Sequence, residues 1–279
     1  MAALAGVVAA GAAVWLLVSR PSKVLPPPEL EVPEWVVDRP AELNAAVAAL
    51  IRSHSGTVGI TTGLHGAGGF GKTTLAQMVC ANRRVRRRFG GRVYLVTIGR
   101  DVRGPAAIAA KINDVIKLLT GEDSSFTDPE LAGRWLGSLM DARPRKLLVL
   151  DDVWEPEQLA PFTQGGRQSS RLVTTRVPNL LTSGSVVVRV DQMSPQQARA
   201  LLTSRLPSLD PAIVEGILNV TGRWPLLLRL VNKILAGNWS GPVEPVMFYQ
   251  ASSGSQGWPS ASRTRASKKQ VPCLAAVAR

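Results

Sequence analysis

The sequence predicts an α/β fold, a parallel sheet flanked by helices and followed by a small helical bundle, on three observations. From Trp35 onward, short β-rich apolar runs alternate with helical patterns, as in a sheet wrapped by helices. A glycine-rich stretch with a lysine, "HGAGGFGKTT" over residues 65–74, sits between one such apolar run and the next helical pattern. Past Val190 the strand pattern stops and helix-start signals follow in quick succession.

In chain order, residues 1–20 form an apolar segment. Ala2 to Ser19 carries no charge and is just long enough for a membrane span, but it is rich in Ala, so it reads either as a membrane anchor or as a buried or interfacial apolar helix. Arg20 and Lys23 on its C-terminal side would then hold the rest of the chain in the cytoplasm. A cleaved secretory signal fits less well, because no positive residue precedes the apolar run. Residues 21–34, with five prolines, read as a semi-rigid linker. The α/β unit is expected over residues 35–190, with strands at Val58 to Leu64, Val93 to Ile98, Lys146 to Leu150, Arg171 to Thr175 and Val186 to Val190. Helices are expected near Lys72 to Ala81, Pro105 to Leu119 and Pro129 to Met140.

Residues 191–240 read as a helical subdomain. Ser194 and Gln197 form a capping box around Pro195, Asp210 and Pro211 repeat the device, and a third helix is expected from Pro225 to Ala236. Residues 241–279 are basic and rich in Ser, Gly and Pro, and are expected to be disordered.

A formal net charge of +13 raises nucleic acid and anionic membranes as partners. The cations are split, however, between the tail and the cluster Arg83, Arg84, Arg86, Arg87 and Arg88, with no interleaved aromatic platform, which argues against nucleic acid. That cluster reads as the solvated end of the preceding helix. The two cysteines, Cys80 and Cys273, suggest neither a disulfide framework nor a metal site, and fit a reducing compartment. His65 reads as a local packing or hydrogen-bonding residue.

Gly66, four residues, Gly71, Lys72 and Thr73 match the spacing of a phosphate-binding loop. Glycines remove the side chains that would block a diphosphate, and successive N–H groups can face one concavity at a helix N-terminus. Gly66, Gly68, Gly69, Gly71, Lys72, Thr73 and Thr74 are therefore the expected phosphate-binding set, with Lys72 also catalytic through the β and γ phosphates and Thr73 offering its hydroxyl to Mg²⁺. "KLLVLDDVW" reads as a buried strand that delivers Asp151 to Mg²⁺ and Asp152 to the attacking water. "SRLVTTR" places Arg176 where a guanidinium could sense the γ-phosphate, its position relayed by Thr174 and Thr175.

"GAGGFGKTTLA", "KLLVLDDVW", "SSRLVTTR" and "TGRWPLLL", in this order, resemble the NB-ARC domain of signal-transduction ATPases. "WVVDRPAEL" resembles the motif that opens such domains, with Asp38 where that family usually has Gly. The resemblance implies a P-loop NTPase fold that binds ADP or ATP with Mg²⁺, Val36 and Val37 bordering the adenine and Pro225 packing on it from the helical side. It also implies signalling through nucleotide state, by homo-oligomers or a partner protein, with slow hydrolysis at most; the alternative is a non-hydrolysing, ADP-bound scaffold. Family members continue into a winged-helix segment with a nucleotide-latching histidine and into sensor repeats, for which this sequence leaves no room after Trp239. The other phosphate-loop classes fit poorly: Asn232-Lys233 is followed by Ile234 and Leu235 rather than a guanine-reading Asp, and the only transporter-like Gly pair, Gly165-Gly166, follows the aspartates instead of preceding them.

Overall fold

A computed structural model describes residues 27, 31–52, 56–61, 68–142, 144–181 and 184–237. The apolar segment 2–19, the linker up to residue 26, His65, Gly66, Cys273 and the basic tail lie outside the described residues. Among the described residues no helix is long and apolar enough to cross a membrane.

The elements are α1 (Pro40–Arg52), β1 (Gly56–Thr61), α2 (Lys72–Ala81), α3 (Arg83–Phe89), β2 (Val93–Thr97), α4 (Gly104–Thr120), α5 (Pro129–Asp141), β3 (Leu147–Val153), α6 (Pro156–Leu159), β4 (Ser170–Thr175), β5 (Val186–Arg189), α7 (Pro195–Thr203), α8 (Pro211–Thr221) and α9 (Pro225–Leu235). The five strands form one parallel sheet in the order β2-β3-β4-β1-β5. β4 thus lies between the strand that precedes the phosphate loop and the strand that carries the aspartates. Because every strand runs the same way, the phosphate loop, the aspartates and Arg176 all emerge at one edge of the sheet.

Alternation along β3 decides which layer each residue serves. Leu147 and Val149 pack with Val58, Ile60 and Leu172 beneath α1, α2 and α3. Leu148 and Leu150 pack with Val96 and Val173 beneath α4 and α5. Both faces are covered, which is why the strand reads as a continuous apolar run rather than an alternating one. A third cluster, around Leu201, Leu202, Val214, Leu218 and Leu228, holds α7, α8 and α9 together.

The caps follow their sequence signals. Ser194 accepts from the Gln197 amide at 3.2 Å while the Gln197 side chain accepts from the Ser194 amide at 2.9 Å, and Asp210 accepts from the Ala212 amide at 2.7 Å. Three helices differ from expectation, the single-turn α6 among them, for which no helix was expected. α1 was not anticipated from the sequence; its apolar face is short and alanine-rich, with Ala46, Val47, Ala49 and Leu50 buried. The arginine cluster is a helix of its own rather than the end of α2. Asn82 breaks α2, accepts from the Arg84 amide at 3.0 Å, and so caps α3, which buries Val85 and Phe89. The cationic residues Arg86, Arg87 and Arg88 then fall in the last turn of α3, where the helix dipole favours them.

Candidate functional site

The phosphate loop runs into α2 through two glycines in the left-handed region, Gly69 with φ 77° and Gly71 with φ 90°. A side chain at Gly71 would meet nothing, so its glycine is required by backbone geometry, whereas one at Gly68 would collide with the Arg176 guanidinium. The amides of residues 69 to 74 have no acceptor among the described residues; the first helical bond at this end runs from the Leu75 amide to Gly71 O at 2.8 Å. Such unsatisfied donors at a helix N-terminus form an anion site.

Beside them sits the buried Lys72, which makes no hydrogen bond or ion pair to a described residue. Burial and, next, the neighbouring Arg176 guanidinium lower its pKa to about 8, against the opposing pull of Asp152 and Asp151.

Thr73 Oγ1 donates to Asp151 Oδ1 at 2.9 Å and to Oδ2 at 3.1 Å. Thr174 Oγ1 donates to Asp151 Oδ1 at 2.6 Å and accepts from the Asp152 amide at 2.8 Å. Burial pushes the Asp151 carboxyl above the usual carboxylate range, and the two threonine hydroxyls pull it back. A helix-borne hydroxyl and a strand-borne carboxylate in contact at the loop form a set of hard oxygen donors, which suits Mg²⁺ bound chiefly through phosphate and water. Consecutive strand residues point to opposite faces, yet Asp152 also reaches the cleft. It does so because its φ is 57° and the β3–β4 register shifts between Leu150 and Val153.

Arg176 projects from the end of β4 with its Nε 3.6 Å from Asp152 Oδ1, and its guanidinium lies 4.8 Å from the Trp154 ring centre. Arg100 lies 5.2 Å from the same ring. Thr174 and Thr175 do not relay the arginine's position. Thr174 serves Asp151, and Thr175 Oγ1 accepts from the Val177 amide at 3.0 Å.

Lys72, Thr73, Asp152, Thr174 and Arg176 line one cavity of about 250 Å³. Val36, Val37, Met193, Leu201 and Pro225 also line it, so the cavity offers apolar surface beside the charged groups. The Val36 amide is already used, donating to Pro33 O at 3.0 Å, while the Val37 amide has no described acceptor. The structure brings together the described residues singled out from the sequence except Thr175, whose hydroxyl turns to Val177: Gly68 and Asp151 touch the cavity's lining residues, and the others line it.

Four contributors were not singled out beforehand. Arg39, which is buried, donates to Phe70 O at 2.9 Å and to Asp191 O at 2.9 Å, tying the phosphate loop to the segment after β5. Trp224 Nε1 donates to Gly68 O at 2.8 Å, and its ring stacks on Phe70 at 5.6 Å. The Arg229 guanidinium lies 3.1 Å from the Trp35 ring centre, and both residues line the cavity. Trp154 flanks Arg176. Arg39 and Trp224 stand inside motifs quoted above, next to residues that were chosen.

The NB-ARC domain model matches residues 40–206, more than half of the chain. The chain belongs to the NB-ARC family. Its NB-ARC region is similar to Regulatory protein AfsR of Streptomyces coelicolor, 32% identical over 223 residues, which cover 71% of this chain and 22% of that protein. It is also similar to Putative disease resistance protein RGA1 of Solanum bulbocastanum, 30% identical over 190 residues, which cover 61% of this chain and 18% of that one. The chain thus spans about a fifth of the length of these curated relatives. The solved structure of the Aeropyrum pernix ORC2 protein, in ADPNP-ADP complexes, aligns with a TM-score of 0.50 at 14% identity over 74% of this chain and 64% of that one, a likeness of fold alone. The NB-ARC match and the sheet order together make this chain a nucleotide-binding module of the P-loop NTPase type.

Proposed function

We propose that the chain binds an adenine nucleotide, ADP or ATP, with Mg²⁺, and serves as the nucleotide-responsive module of a signalling protein. The observation that carries this reading is the contact of Thr73 with Asp151 beside a row of amides, and the buried Lys72 ammonium, that bond to no described residue. In this reading, Gly66, Gly68, Gly69, Gly71 and Thr74 surround the phosphates with backbone amides, and Lys72 neutralises the β and γ oxygens. Thr73 and Asp151 hold Mg²⁺, which supplies charge neutralisation on the terminal phosphates when bound. Val36, Val37 and Pro225 enclose the base, with the Val37 amide, which has no acceptor among the described residues, as the donor to it.

Asp152 orients water and Arg176 senses the terminal phosphate. The carboxylate of Asp152 already faces Arg176, so the group that must accept a proton from water is engaged by a cation. Turnover in this reading is slow, and the same pair favours a second reading in which the nucleotide is held without hydrolysis. The module faces the cytoplasm, free or tethered through residues 2–19, and passes its nucleotide state to a partner protein or to second copies of itself.

Calorimetric titration of nucleotide-free protein tests the binding. ADP or ATP should bind and GDP should not, and Lys72→Ala should weaken the interaction by at least tenfold. Absence of both ADP and ATP binding in folded protein would overturn the reading. Single-turnover assays with Mg²⁺ and ATP then separate the two versions, since Asp152→Asn should spare binding and slow any phosphate release.

A further inference from the structure

We infer that Trp224 is a positioning residue for the phosphate loop: from the start of α9 it clamps a loop carbonyl so that the amides face the cleft, coupling the seating of α9 to pyrophosphate binding. The inference rests on the nucleotide reading above and adds a contact that never touches the nucleotide.

A trans peptide unit is planar, and its C=O and N–H point in opposite directions. Trp224 Nε1 donates to Gly68 O at 2.8 Å, the Leu226 amide donates to Gly69 O at 3.2 Å, and Arg39 Nη1 donates to Phe70 O at 2.9 Å. Three consecutive carbonyls are thus drawn to donors outside the loop. The amides on the same three peptide planes, those of Gly69, Phe70 and Gly71, are turned the other way, and all three residues line the cavity.

Without such clamps a loop this rich in glycine would turn its peptide planes at little cost, because glycine populates both signs of φ. Two of the three clamps come from α9 and the residue before it, and the third comes from the segment before α1. The Trp224 ring lies on Phe70 with an interplanar angle of 18°, which fixes the indole so that its N–H reaches Gly68. An aliphatic side chain at this position would pack but could not donate. A side chain at Gly69 would meet Leu226 Cβ at 2.5 Å, so the loop and the start of α9 are fitted to one another with no slack. Ordering the loop around a pyrophosphate and seating α9 against it are therefore one event.

The experiment compares the full chain with Trp224→Phe, which keeps an aromatic ring for Phe70 and removes the N–H donor together with the smaller ring that carries it. By the net worth of one hydrogen bond, ADP affinity measured by calorimetry should fall about 5- to 10-fold in the variant. In ¹⁵N-labelled wild-type protein, the indole N–H signal of Trp224 should shift on saturation with ADP. A folded Trp224→Phe protein with unchanged ADP affinity overturns the clamp, and so does an indole signal that stays in place in ADP-saturated wild type. The second measurement needs no variant and decides the matter if Trp224→Phe fails to fold. Wild-type protein that binds no ADP overturns the nucleotide reading itself, an outcome distinct from both.

Discussion

Raising the pH through the range in which Lys72 loses its proton should weaken nucleotide binding in a calculable way. In the free protein, burial and the adjacent Arg176 hold the Lys72 pKa at about 8. Bound phosphates favour the charged amine, so the complex keeps the proton that the free protein gives up. At about pH 8.5 roughly three-quarters of the free protein carries neutral Lys72, and binding ADP should take up about 0.75 proton. Affinity should be flat below the pKa and fall about 30-fold between about pH 7 and about pH 9.5. The free protein should respond in the opposite sense. Its unfolded chain binds the Lys72 proton more tightly than the folded one, so its stability rises with pH between about 8 and the ordinary lysine value of 10.5. Titration calorimetry at about pH 8.5, in two buffers of different protonation enthalpy, reads the uptake directly, and Lys72→Arg, which cannot deprotonate in this range, should abolish it. Wild-type protein that binds ADP with no buffer-dependent enthalpy would refute the joint claim that Lys72 is partly neutral in the free protein and charged beside the phosphates.

Thr73→Ala should leave Mg²⁺-free ADP binding nearly intact and remove the gain that Mg²⁺ gives, because it deletes one of the two oxygen donors; titrations with and without Mg²⁺ check this. Asp151→Asn should raise the melting temperature of the free protein by a few degrees while lowering its affinity for Mg²⁺ and nucleotide, since the ionised carboxylate is buried at a cost that the threonine hydroxyls only partly offset. Gly71→Ala meets no atom, so its cost is the left-handed backbone alone, about 1–2 kcal/mol, read as a drop of about 2–8 °C in a thermal scan.

The parts of this molecule that sequence reasoning reached are those in which local chemistry decides the outcome. The buried strands are short apolar runs bounded by turn residues, and α7 and α8 begin at capping residues whose partners lie three and two positions away. The phosphate loop and the aspartate strand were visible because each gathers its chemistry within ten residues. What escaped depends on distant partners. Trp224 meets Gly68 across 156 positions and Arg39 meets Asp191 across 152, and nothing in either neighbourhood announces the match. The outward turn of Asp152 escaped for another reason: it follows from a register shift against β4, a property of a strand pair rather than of one strand. α3 was hidden because seven residues, five of them arginine, resemble a frayed helix end until Asn82 is seen to cap them.

The interposed strand β4 sets a spacing that the rest of the site has to respect. Adjacent strands lie about 4.8 Å apart, so the strand feeding the phosphate loop and the one ending in the acid pair are two such steps from each other. Thr174, near the tip of the middle strand, stands in register with Ile60 of β1 while its hydroxyl serves both aspartates of β3 at once. Any sliding of one half of the sheet past the other must first pull this hydroxyl away from its partners. The middle strand is in effect a spacer gauge, and the distance between the diphosphate pocket and its acids is held by the width of one β-strand on either side.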